Sequence, residues 1–183
     1  MSGFEALRFL DSWDEAAELC GDYFKALQKL TDEAYDNVIK TYPNIDPKDL
    51  GSEVHNRVAR QVNGIGDPNF RAETSFIIRR NRKSADETSS DQASTNEKYE
   101  EVSRRGIKGS KRFDTRLKKP EERLACVGDI KTGDEGLAES YVDEIVKRIG
   151  NNPDYDDIDR LIIAEVRPTA VRMRMRAQMS PGR

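Results

Sequence analysis

The run from Leu124 to Val166 constrains the fold most, because its hydrophobic period changes twice within a short span. Leu124 to Thr132 reads as a strand. Leu137, Tyr141, Val142, Ile145 and Ile149 then recur at helical spacing, and Leu161 to Val166 is a short, strongly apolar run of the kind that forms a buried strand. Gly150 and Pro153 stop the helix before that last strand begins.

Upstream, Val54, Val58 and Val62 lie four residues apart on one stripe of a helix over Ser52 to Val62. Gly64, Gly66 and Pro68 end it, and Phe70 to Ile78, rich in aromatic and β-branched residues, reads as a strand. A further strand is predicted around Lys111 to Leu117. Between these two, about residues 80–103 are Ser, Thr, Asp, Glu, Asn and Lys with almost nothing apolar, the composition of a mobile insert in a hairpin. The whole predicts an α/β chain with a mixed central sheet flanked by helices.

Residues 1–45 read as a helical amino-terminal extension, and 46–183 as the core. The extension opens with the capping pattern Ser12-Trp13-Asp14-Glu15, followed by Ala16, Ala17, Cys20, Phe24, Leu27 and Leu30 at helical spacing and a second short helix over Ala34 to Ile39. With 183 residues the chain suits one domain. No apolar run reaches membrane-spanning length. The acidic amino terminus lacks the order of a signal peptide, so action in a cytoplasm is expected. Cys20 and Cys126 stand in unrelated contexts without metal-ligand spacing and are expected to be buried free thiols.

A net charge of −3 argues against a nucleic-acid partner only until it is divided along the chain. Residues 1–50 hold 11 acidic against 5 basic side chains, so the remainder is net positive. Nine Lys or Arg fall between Arg104 and Arg123, and Arg172, Arg174 and Arg176 form a second basic stretch, read as an edge strand, an ordered arm or a frayed tail.

The chemistry concentrates in Asp129-Ile130-Lys131. On a strand, Asp129 and Lys131 share a face while Ile130 points away. Asp114 lies on the preceding strand, and a short connection through Pro120 would set it beside Asp129. Two convergent carboxylates, with the Ile130 carbonyl as a further ligand, suit Mg²⁺ or Mn²⁺, and Lys131 would orient or help deprotonate an attacking water. An isolated Asp-x-Lys is more often an exposed ion pair. Here Arg104, Arg105, Lys108, Lys111, Arg112 and Arg116 surround Asp114, an arrangement suited to phosphate.

In this pattern the chain resembles the PD-(D/E)XK restriction-endonuclease-like nucleases, whose core runs helix, three strands, helix, strand. Asp114 matches the first acidic position, Asp129 the second and Lys131 the lysine, although no proline precedes Asp114 and the second acid is Asp rather than Glu. Gly109-Ser110-Lys111-Arg112-Phe113-Asp114 with Asp129-Ile130-Lys131-Thr132-Gly133 and Gly136-Leu137 is similar, more narrowly, to nuclease domains of bacterial polymorphic toxins and secretion effectors. The resemblance implies a metal-dependent nuclease, with DNA favoured over RNA. It also implies delivery by a specialised secretion machine and a cognate immunity protein as partner. An RNase with the same site and a non-catalytic binding module on the same fold remain open alternatives. Glu53 and Glu73 are secondary metal candidates, and His55 reads more readily as a boundary histidine than as a catalytic one.

Overall fold

The computed structural model describes residues 5–9, 13–79, 98–102 and 111–179. In chain order these form β1 (Glu5–Phe9), α1 (Trp13–Cys20), α2 (Asp22–Thr41), α3 (Pro47–Gly64), β2 (Phe70–Arg79), β3 (Lys98–Val102), β4 (Lys111–Lys119), β5 (Leu124–Ile130), α4 (Glu139–Gly150), β6 (Arg160–Val166) and α5 (Thr169–Met179). The fold is mixed α/β. Among the described residues six strands lie in the order β1-β6-β5-β4-β2-β3. β1, β6 and β5 run parallel, while β4, β2 and β3 alternate antiparallel beyond them.

The strand–helix–strand unit explains the parallel half, because parallel neighbours need a long crossover and α4 supplies it. Every residue of β5 is buried, as a central strand covered on both faces must be. Leu124, Cys126 and Ile130 face a core shared with α1, α2 and α3. Ala125 and Val127 face the opposite core, built on Ile145 and Ile149 of α4.

The first helices pack against the sheet. Phe24, Leu27 and Val38 are packed into the same core as Val54, Val58 and Val62, and β1 joins the sheet beside β6. α2 runs unbroken to Thr41, and its separation from α1 is set by Gly21, whose φ of 71° favours glycine. Asp46 caps α3 by accepting from the Lys48 amide, with Pro47 at the first helical position.

Three expectations are corrected. The polar insert carries a strand, β3, paired antiparallel with β2, although residues 80–97 and 103–110 lie outside the described residues. The stretch containing Arg172, Arg174 and Arg176 is helix α5, whose first residue donates its amide and hydroxyl to Asp32 of α2. Cys20 and Cys126 are not free thiols but a disulfide, tying the end of α1 to β5 across 106 positions of sequence. Spacing along the chain cannot register two cysteines that only tertiary packing makes neighbours.

Gly128 of β5 marks the tightest contact in this layer. A Cβ there would stand 2.6 Å from Thr115 Oγ1 and 2.7 Å from Leu27 Cδ2. Thr115 cannot easily retreat, since its hydroxyl donates to the Gly128 carbonyl at 3.0 Å. Gly128→Ala is therefore expected to cost about 1–3 kcal/mol by overpacking. Denaturant unfolding checks this, and a midpoint equal to wild type would show that Leu27 and Thr115 yield.

Candidate metal centre where the sheet parts

Residues two apart on a regular strand share a face. β2 and β4 break this rule at the same rung. Phe70 and Ala72 lie in the core under α1 to α3, yet Phe76 lies in the α4 core, and on β4 Leu117 and Phe113 are divided in the same way. The crossing falls at Glu73 and Asp114, which the ladder skips: Ala72 pairs with Thr115 and Thr74 with Phe113. Glu73 has a φ of 57°, a left-handed conformation in mid-strand that costs a non-glycine residue on the order of 1–3 kcal/mol.

On the other side of β4, pairing with β5 ends at Thr115 and Gly128. The next rung would oppose Asp114 to Asp129. In place of a ladder bond, the Ile130 amide donates to Asp114 Oδ2 at 2.8 Å. The two acidic residues thus stand where β4 leaves β5, at the carboxyl ends of the parallel strands, where open α/β sheets place their ligands.

Asp129 is 4% exposed. Lys131 follows β5 alongside β6, its amide donating to the Val166 carbonyl, and its Nζ stands 3.0 Å from Asp129 Oδ2. The ammonium is thus the partner of this buried oxygen. Burial, and then the charge of Asp114, push the Asp129 carboxyl up to about 6 against the opposing pull of Lys131 and His55.

His55 joins the centre from α3. Its Nε2 lies 2.9 Å from the Ile130 carbonyl and its Nδ1 3.2 Å from Asp114 Oδ1. Both partners are acceptors, so only the doubly protonated ring satisfies both. Burial works against that charge, but the hydrogen bond and charge of Asp114, with the Ile130 carbonyl, outweigh it and hold the imidazole above its ordinary value. Glu73, buried, reaches the same place from β2 and pairs with Arg112 Nε at 2.8 Å. Ligand-type atoms of His55, Glu73 and Asp114 lie within 4.8 Å of one another. A cavity of about 430 Å³ lined by Gly51, Ser52, His55, Asn56, Glu73 and Arg112 opens onto them.

Tyr141 of α4 closes the α4 side, its hydroxyl 3.4 Å from the Arg112 carbonyl. Burial, the Asp129 and Asp114 charges and a hydrogen bond to Asp129 push the phenol well above its usual range, so it stays a neutral donor. Its helical spacing identified it only as an apolar residue. His55 was undervalued for a similar reason: a helical wheel relates it to the valine stripe of α3 and not to the strand ends that α3 crosses.

Other sequence candidates lie elsewhere. Glu53 is half-buried, 4.0 Å from Arg57, and does not join the cluster. Arg116 is 8% exposed and spends its guanidinium on Glu101 and the Pro68 and Asn69 carbonyls, so it is not offered to phosphate. Arg104, Arg105 and Lys108 lie outside the described residues, and Lys111 is described in its backbone alone. Past Lys131, Glu165 accepts from the Leu137 amide and from Arg167, whose guanidinium also binds the Gly133 and Glu135 carbonyls. That pair fixes the loop leading into α4.

Comparison with family models, curated proteins and solved structures returned no significant match.

The Asp129 carboxyl titrates near 6 when folded but near its ordinary 3.8 when unfolded, and His55 is likewise raised. Groups raised in this way add stability that is complete below the unfolded value and is lost as pH rises through the folded one. In EDTA, wild type and Asp129→Asn should therefore melt alike near pH 4. By pH 7.5 the variant should be more stable, on the order of 2–3 kcal/mol. Parallel melting curves across that range would refute the assignment.

Proposed function

We propose that the chain is a metal-dependent nuclease that hydrolyses phosphodiester bonds, acting on DNA in preference to RNA. The observation that carries the reading is Asp129 itself: a buried carboxylate beside Asp114 in sequence register across the sheet, with the Lys131 ammonium 3.0 Å from its Oδ2. An exposed ion pair would need neither the burial nor the second acid. Asp114, Asp129 and the Ile130 carbonyl, which gives one lone pair to His55, would hold Mg²⁺ or Mn²⁺. When bound, such an ion neutralises charge developing on the phosphate.

The chain's own groups supply the rest. Lys131 Nζ, on a side chain 30% exposed, is placed to donate to an attacking water and orient it. Tyr141 holds Asp129 by a hydrogen bond that its high-lying phenol does not lose at neutral pH. Arg112, partly exposed beside Glu73, is the basic side chain placed to meet a substrate phosphate.

Incubation with plasmid DNA, and separately with total RNA, in Mg²⁺, in Mn²⁺ and in EDTA tests the reading. Cleavage that requires the cation is expected. Intact substrates at high protein concentration would leave a binding module instead. The likeness of the Gly109–Asp114 and Asp129–Gly133 segments to toxin nucleases supports a further role as a delivered antibacterial effector with an immunity protein. Growth arrest on expression in a bacterial cytoplasm, relieved by that partner, is its signature. Among the described residues no helix is long and apolar enough to cross a membrane.

A further inference from the structure

We propose that His55, Glu73 and Asp114 form a cation site of their own, with one nitrogen and two oxygen ligands, that takes a first-row transition ion such as Mn²⁺ in preference to Mg²⁺. It shares Asp114 with the pair proposed for hydrolysis but lies on the opposite, β2 side of that residue. It does not require that the chain cleave nucleic acid.

The imidazole is arranged as a ligand. A metal-binding histidine commonly donates its other ring N–H to a backbone carbonyl, which fixes the tautomer and aims the free nitrogen. His55 Nε2 faces the Ile130 carbonyl at 2.9 Å in this way, and the proton that Nδ1 directs at Asp114 Oδ1 is the one a bound metal would displace. Two ligands at right angles around an ion, each at about 2.1 Å, lie about 3 Å apart. The Nδ1 to Oδ1 separation of 3.2 Å matches a cis pair. Glu73 completes the set within the 4.8 Å span of the three ligand atoms.

One feature outside the cluster points the same way. The cavity lined by Ser52, Asn56 and Arg112 gives the ion an entry path and room for the waters that finish its coordination. The donor set then selects the ion. Mg²⁺ favours oxygen ligands and retains its waters, whereas transition ions accept imidazole readily. Arg112 is the cation that Glu73 holds now, at 2.8 Å, and a metal must compete with it.

The test uses the full chain and Mn²⁺ alone. Titration followed by electron paramagnetic resonance gives affinity, pulsed measurements report a directly bound nitrogen, and Mg²⁺ is added as competitor. Wild type and Asp129→Asn should both show nitrogen coupling, with Mn²⁺ held at least tenfold more tightly than Mg²⁺. His55→Gln should abolish the coupling, and both it and Glu73→Gln should weaken Mn²⁺ at least tenfold with unchanged circular dichroism. Arg112→Gln should strengthen Mn²⁺ binding about twofold to fivefold, the scale of one partly exposed ion pair, a gain that misfolding cannot mimic. Absence of nitrogen coupling in wild type, a Glu73→Gln variant that binds as wild type, or no gain in Arg112→Gln overturns the site. Nitrogen-coupled Mn²⁺ in a protein that cleaves neither DNA nor RNA would uphold this site and remove the nuclease.

Discussion

Lys131→Ala is expected to slow single-turnover DNA cleavage by about a hundredfold to ten-thousandfold, the usual loss when a positioned catalytic group is removed. The expectation follows from placement. Lys131 lies just past the end of β5, so its backbone is tied to Val166 while its ammonium returns to Asp129. Removing it leaves Asp114, Asp129 and the Ile130 carbonyl in place, and the variant should still fold and gain thermal stability from Mn²⁺. Asp129→Ala should lose cleavage and the share of that gain that comes from the Asp114–Asp129 pair, keeping only what Mn²⁺ held by His55, Glu73 and Asp114 supplies. The decisive comparison is cleavage rate beside metal titration and melting for each variant. Activity within about threefold of wild type, under roughly 1 kcal/mol in the barrier, would reduce the Lys131 contact to an ion pair.

Replacing Cys20 and Cys126 together with alanine should produce the largest change in stability. The bond closes a loop spanning 106 positions, and a cross-link of that reach restricts the unfolded chain by about 4–5 kcal/mol at most. For a chain of this size that corresponds to a fall in melting temperature of roughly 10–15 °C. Both sulfurs are in the core, with Cys20 at 0% and Cys126 at 3% exposure, so the double variant is a cleaner probe than added reductant. Thiol titration of unreduced, denatured wild type should find none. Two reactive thiols, or a double variant that melts with wild type, would remove the cross-link from the account. Protein made in a reducing cytoplasm should behave as the weaker, open form.

The two periods between Leu124 and Val166 made β5, α4 and β6 legible, since burial on both sides of a central strand leaves an apolar run that composition cannot hide. Asp129 and Lys131 were legible because a strand's alternation is fixed. What the sequence concealed was decided by partners. β3, with Tyr99 as its buried anchor, is a polar segment that is extended because β2 offers it an edge. α5 alternates Met and Arg as an edge strand would, yet Thr169 takes its cap from Asp32, and Met173 is left exposed. The Glu73 backbone is the sharpest case, because no residue type announces a left-handed glutamate in mid-strand.

That crossing at Glu73 and Asp114 acts as a rivet through the sheet. The apolar side chains fall into two clusters on opposite faces, and two such halves could in principle melt as separate foldons. Here β2 and β4 each begin in one half and finish in the other. Neither half can loosen without pulling both strands through the rung that carries the acidic centre, so the chain should behave as one cooperative unit. The residues that distort the sheet most are then the ones that prevent it from coming apart in stages.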